Sequence, residues 1–249
     1  MATLFMVPGS HPSVAAALML DHKGIDYRRI DFAPAIHRVA LRLVGFRGRT
    51  VPALRLDGRR LQGSRKIARA LDEIRPEPPL FPSDPGRREA VERAEEWGDE
   101  VLQPLARRMA WSSLKRDHST IGSFLEGARL GIPHAVAVRT SAPLIYLAAR
   151  LNDATDETAQ ADLAALPGHL DRVDAWIDEG VLGGRERNAA DFQIATSLRL
   201  LMALDDLRPA IEARAAGRLA REVVPDFPGR VNPVLPADWL APLRQPAAL

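Results

Sequence analysis

Two hydroxyls, Ser10 and Ser13, follow Pro8-Gly9 at the end of an apolar run from Thr3 to Val7, with His11 and Pro12 between them. A strand that stops at Pro-Gly and runs into Ser-x-x-Ser puts the first serine at the mouth of a helix. Unpaired backbone N–H groups and the positive end of the dipole favour an anion there. The spacing also mirrors a Cys-x-x-Cys dithiol with serine at both ends. The 249 residues contain no cysteine, which excludes disulfides, thiolate metal ligands and chemistry on a protein thiol. The remaining choice is between a hydroxyl that donates to a bound group and plain structural work, Ser10 in the turn and Ser13 as a helix cap. His11 has the same two readings, a donor to a ligand or an exposed ring beside a turn.

Two further stretches suit a ligand. Proline removes a backbone donor, so Val51-Pro52 belongs either at the first residue of a strand or where a strand edge is left open. Gln62-Gly63-Ser64 opens a helix whose N-terminus suits a carboxylate, although Ser64 would equally cap it. His118, His134 and His169 lie in separate segments without ligand spacing, so no metal is expected. There is no Gly-rich phosphate loop and no Ser/His/Asp arrangement.

The elements that must position these residues are legible in the patterning. Thr3 to Val7 is a buried strand, residues 13–23 a helix stopped by Gly24, and Tyr27 to Phe32 a second strand. Ile36 to Val44 is weakly helical. Ala53-Leu54-Arg55-Leu56 and Arg59-Arg60-Leu61-Gln62 flank Asp57-Gly58, a strong hairpin signal. Ile67, Ala70, Leu71 and Ile74 mark one face of the helix that starts near Ser64. The order is β-α-β-α-β-β-α. A stiff proline-rich connector, Arg75 to Pro82, follows. Beyond it the pattern is helical. Val91, Ala94, Trp97, Val101, Leu105 and Met109 form one long stripe that Pro104 should kink. Leu163 to Ile177 marks another helix, with Pro167 disturbing its start. Phe192 to Leu204 is apolar nearly all round, so it should be the most buried helix. Asn188 and Asp191 form a capping box in front of it. The stretch from Leu114 to Asn152 has a confused pattern, consistent with an insertion that forms a lid or enlarges a pocket.

Bulk composition sets limits. Hydrophobic residues make up 46% and charged residues 27%, ordinary for a globular protein. The net charge is +2, and all but three of the 34 basic residues (Lys23, Lys66, Lys115) are arginine. The arginines alternate with acids, as in Glu92-Arg93-Ala94-Glu95, so they read as a solvated face and a GC-rich genome rather than a nucleic-acid surface. No run of 18 apolar residues and no secretory signal is present, so no membrane span is expected and the cytoplasm is the default location.

The ordered set Ser10-His11-Pro12-Ser13, Thr50-Val51-Pro52-Ala53-Leu54 and Gln62-Gly63-Ser64 resembles the thioredoxin-like half of the glutathione transferases, in particular theta-like bacterial members of the serine type. Asn188-Ala189-Ala190-Asp191 resembles the capping box of the buried helix in their second domain. The resemblance implies an α/β plus all-α chain, with a thioredoxin-like, thiol-binding domain over residues 1–78 and a C-terminal helical bundle over 86–249. It implies conjugation of glutathione, or another low-molecular-weight thiol, to a hydrophobic electrophile by a cytoplasmic homodimer. Ser10 would be catalytic, donating to the thiolate. His11, a cis Val51-Pro52, Gln62 and Ser64 would hold the thiol cofactor. Gly63 stands where the family places an acid or amide. Met109 and Trp111, with Tyr146, would line the electrophile pocket; tryptophan and methionine at helical spacing also suit a core. Asn188 and Asp191 would be structural. A non-catalytic small-molecule binding protein on the same scaffold is the alternative.

Overall fold

In the computed structural model, which describes residues 1–244, the chain starts with β1 (Ala2–Met6), α1 (His11–His22), β2 (Tyr27–Asp31), α2 (His37–Leu43), β3 (Ala53–Leu56), β4 (Arg59–Gln62) and α3 (Ser64–Ile74). The sheet order is β2-β1-β3-β4, with β1 parallel to β2 and antiparallel to β3. This is the thioredoxin-like arrangement. Strand β1 is buried on both faces, with successive side chains alternating between them. Leu4 and Met6 join the main core beneath α1 and α3, while Phe5 turns the other way. Phe5 packs edge-on against Phe46, ring centroids 5.5 Å apart, in a small core with Leu41 and Ala53. The hairpin turns at Asp57 and Gly58, both with positive φ (47° and 80°), as a two-residue turn of the primed type demands.

The helical part comprises α4 (Pro85–Trp97), α5 (Gln103–Arg116), α6 (Ile121–Phe124), α7 (His134–Arg139), α8 (Ala142–Leu151), α9 (Asp156–Asp178), α10 (Ala189–Met202), α11 (Arg208–Glu212) and α12 (Ala215–Val223). Residues 245–249 of the expected 86–249 domain lie outside the described residues. Between α4 and α5 the expected kink at Pro104 takes the form of a π turn over Gly98–Leu102. Proline has no N–H to continue the ladder, so it sits in the first turn of α5 and the extra residue is absorbed just before it. Pro167 lies well inside α9, which begins at Asp156 behind a Thr155 cap rather than near the proline. The confused stretch after Leu114 resolves into a 3₁₀ turn and the short helices α6 to α8.

Helix α10 is the centre of the second part, buried on nearly every side and packed against α1, α4, α5 and α12. Asn188 caps it by accepting from Ala190 N at 2.9 Å and Asp191 N at 3.1 Å, while Asp191 accepts from Asn188 N at 2.9 Å. Asp191 also accepts from Gly183 N at 2.8 Å, so the box anchors the preceding loop.

Polar groups buried between the two parts hold them in register. Glu95 of α4 is fully buried and reaches Arg69 of α3 at 2.7 Å and Arg65 at 3.5 Å. Burial pushes the Glu95 carboxyl up, against the pull of Arg69. The proline-rich connector is pinned from α1: Lys23 Nζ donates to the carbonyls of Arg75 (2.7 Å), Pro76 (3.2 Å) and Pro78 (2.6 Å).

Candidate functional site

The helix α1 begins where Gly9 turns the chain. Gly9 has φ 71°, and a Cβ there would stand 2.8 Å from Phe124 of α6, so the turn needs glycine both for its backbone and for the ring pressed on it. Ser10 then occupies the N-cap position, but its side chain makes no cap hydrogen bond. The backbone does the capping instead: Ser10 O accepts from Ser13 N and Val14 N, both at 2.9 Å. The buried Ser13 donates its hydroxyl to Ser10 Oγ at 3.0 Å. The Ser10 hydroxyl hydrogen is therefore left free at the positive end of α1.

Ser10 opens into a cavity of about 320 Å³ between the sheet domain and the helices. The first domain contributes Ser10, His11, Val51, Pro52, Gly63 and Ser64 to its wall. The Val51-Pro52 bond is cis. The backbone of Val51 makes no hydrogen bond to the described residues, whereas the next carbonyl, Pro52 O, accepts from Gly63 N at 2.9 Å. Gly63, at φ 91°, is the N-cap of α3 and places Ser64 at its first position, nearly buried yet facing the cavity. The described residues offer the Ser64 hydroxyl no hydrogen bond, so it is not spent as a cap.

The second domain supplies the opposite wall. Trp111, Ala110 and Leu114 of α5, together with Ile121, Phe124 and Leu125, make it largely apolar, and Ala148 and Leu151 of α8 with the following Asn152 close the far side. The stretch after Leu114 thus forms cavity wall.

Three expected members are elsewhere. Met109 is fully buried in the main core rather than in the cavity wall, because α5 turns that side toward α10 and its neighbours. Gln62 is committed to the loop before β3: its Oε1 accepts from Gly48 N and its Nε2 donates to Thr50 O, both at 2.9 Å. One N–H of its amide stays unpaired among the described residues, but the side chain is not part of the cavity wall and supports the Val51 segment instead. Tyr146 is also outside the cavity, 52% exposed and tilted against His118.

His11 is buried, not exposed, and its Nε2 has no partner among the described residues. Burial first, then the charge of Arg107, holds its pKa well below the ordinary value, so the ring is neutral near neutral pH. His37 of α2 lines the same cavity; burial and the adjacent Arg38 bring it down to about 4.

The sequence reading missed several lining residues: His37 and Arg38 on α2, and Asp99, Gln103 and Arg107 on the far wall. The last three recur every fourth residue, a helical-face signal that was visible. They read as ordinary solvated charges because nothing in the pattern shows the π turn that carries Asp99 onto the same face. His37 and Arg38 had no such signal, since α2 is short and only weakly patterned.

Residues 4–79 match the protein-family model described as glutathione S-transferase, N-terminal domain. No curated protein sequence matches the chain. Among solved structures, FzlA from C. crescentus has a TM-score of 0.54 and 19% identity, over 97% of this chain and 98% of that one. A glutathione S-transferase from Sinorhizobium meliloti has a TM-score of 0.54 and 21% identity, over 98% and 100%. The beta-etherase LigF from Sphingobium has 0.51 and 20%, over 89% and 98%. At these identities the likeness is one of fold. Residues 4–79 thus fit the model of that N-terminal domain, and the chain shares the architecture of those proteins, a thioredoxin-like domain followed by a helical one.

Proposed function

We propose that the protein is a glutathione transferase-like enzyme of the serine type, conjugating glutathione or another low-molecular-weight thiol to a hydrophobic electrophile. The observation that carries this reading is the state of Ser10: a hydroxyl at a helix N-terminus, not used as a cap, facing a cavity with a polar and an apolar wall. A free thiol has a pKa near ~8.5, and a hydroxyl donor beside a helix dipole stabilises the thiolate that attacks. The sulfur attacks the electrophilic carbon, and the group displaced from that carbon leaves with the bonding pair. Ser10 keeps its own proton throughout.

The other first-domain residues suit a peptide-like thiol. Val51 presents an unpaired backbone edge beside Pro52, Ser64 offers a free hydroxyl at the start of α3, and Arg38 supplies a cation for a carboxylate. His11 stands against the α1 turn as a neutral neighbour of the thiol. Trp111 belongs to the electrophile wall. The expected setting is a cytoplasmic homodimer.

The test is conjugation of glutathione, and of other small thiols, to chlorodinitrobenzene, together with retention on immobilised glutathione. Turnover that depends on Ser10 supports the reading. No turnover with any thiol and no retention overturns it. The second reading, a binding protein without catalysis, is favoured by Gly63 and Gln62: with no side chain at one and the other tied to Gly48 and Thr50, the amino end of glutathione lacks the usual acid or amide.

A further inference from the structure

Arg107 is the one cation that the second domain contributes to the cavity among the described residues. Its neighbour Arg108 forms a two-pronged pair with Asp162 at 2.6 and 2.7 Å. Arg107, by contrast, takes part in no ion pair among the described residues. Its one hydrogen bond runs from Nη2 to the side-chain oxygen of Gln103, at 2.7 Å. A guanidinium carries five N–H donors, and burying one without a carboxylate is unfavourable unless something else meets it.

The surroundings hold this cation in place without neutralising it by contact. Gln103 donates to Asp99 Oδ1 at 2.9 Å, and Gln193 approaches the same oxygen at 3.4 Å. Asp99 is the one acid among the described residues lining the cavity, and that oxygen is engaged by amides. Asp99, Gln103 and Arg107 thus form a relay along one helix face, with the arginine at its end and facing the cavity. Burial draws the Arg107 pKa down, opposed by Asp99, but a guanidinium stays charged throughout the accessible range. Across the cavity the facing rings, His11 and His37, are held neutral by burial, so they add no positive charge of their own.

We propose that Arg107 is the anion-recognition residue of the cavity, and that its second ligand is an apolar acid: a carboxylate, sulfonate or phosphate carried on a hydrophobic frame. The apolar wall of Trp111, Leu114, Ile121 and Phe124 takes the frame, and the open N–H groups of Arg107 take the charged end. The inference deepens the thiol-transfer reading and rests on it only for calling the acid a substrate.

The test is isothermal titration, without any thiol, of octanoate and octanamide, which share a chain and differ in charge. Octanoate should bind roughly 10–100-fold more tightly, the difference between a charged and a neutral hydrogen-bonded partner. Arg107→Met should abolish the preference, and Arg107→Lys should retain part of it. Equal binding of the two probes by the natural protein overturns the proposal, as does binding of neither. So does a preference that survives Arg107→Met. The natural protein and Arg107→Lys decide the matter even where Arg107→Met does not fold. A natural protein that prefers octanoate but conjugates no thiol sinks transfer and leaves the role of Arg107 intact.

Discussion

Ser13 donates its hydroxyl to Ser10 Oγ across 3.0 Å, and this single bond decides which way Ser10 can act. With its oxygen already accepting and the helix capped by its own carbonyl, Ser10 has a hydrogen to give. Accepting from Ser13 also polarises that O–H, since hydrogen bonds in a chain strengthen one another. Ser10→Ala should therefore reduce turnover roughly 10–1000-fold, one donor's worth of transition-state stabilisation. Ser13→Ala should reduce it only about 5-fold, the value of one neutral hydrogen bond. Steady-state conjugation and the ultraviolet absorbance of bound thiolate measure both. Unchanged turnover in Ser13→Ala would remove Ser13 from its supporting place.

Lys23 is the next position to test. Its side chain is fully buried, 2.6 Å from Asp72, and donates to three carbonyls of the connector. Asp72 in turn accepts from Leu80 N at 2.7 Å. Lys23→Met removes the cation while leaving a carboxylate and three carbonyls behind, which should cost about 3–5 kcal/mol. Urea unfolding reads this directly. A loss below ~1 kcal/mol would show that water replaces the ammonium and that the connector does not depend on it.

The connector illustrates what a sequence can and cannot disclose. Its prolines signal stiffness, but the lysine that fixes it lies some fifty residues earlier, and no local pattern ties the two. The sheet domain was legible because its strands alternate, Asp57-Gly58 names a turn, and Pro8-Gly9 ends a strand. Those are short-range signals. The place of Ser10 at the mouth of α1 was legible for the same reason. Gln62 was misread because its partners, Gly48 and Thr50, come from a loop whose path only the folded sheet defines. Met109 and Trp111 lie two residues apart on α5, so they point to different sides of it: one reaches the core and the other the cavity. Helical spacing marks an apolar stripe but not which of its edges will be left bare.

Asn188 makes a smaller, local contribution. Asn188→Ala removes an acceptor shared by Ala190 N and Asp191 N, and a donor to Val181 O at 2.9 Å. The expected cost is about 1–2 kcal/mol, the upper part of the range for caps because these groups are buried. Asn188→Asp should recover much of it by restoring the acceptor. Chemical denaturation of the two variants checks this: if they are equally destabilised, the cap is not what holds the start of α10.

His37 gives the protein a predictable acid response. Its ring lines the cavity, Nδ1 is buried without a partner among the described residues, and burial followed by the charge of Arg38 lowers its pKa from 6.5 to about 4. Because the folded value lies below the unfolded one, the unfolded chain takes up the extra proton first. The contribution of His37 is then fully present above pH 6.5 and is lost as pH falls toward about 4. Each bound proton tilts the equilibrium by about 1.4 kcal/mol per pH unit in that window. The ring is only partly enclosed, so solvent screening should reduce the loss between about pH 7 and about pH 5 to ~1 kcal/mol. His37→Leu cannot titrate and keeps the apolar volume, so its urea midpoint should fall less than that of the natural protein over the same interval. His11 remains in both proteins, and its own response cancels in the comparison. Parallel midpoints in the two proteins would mean that His37 is hydrated in the folded state and that its side of the cavity is wet.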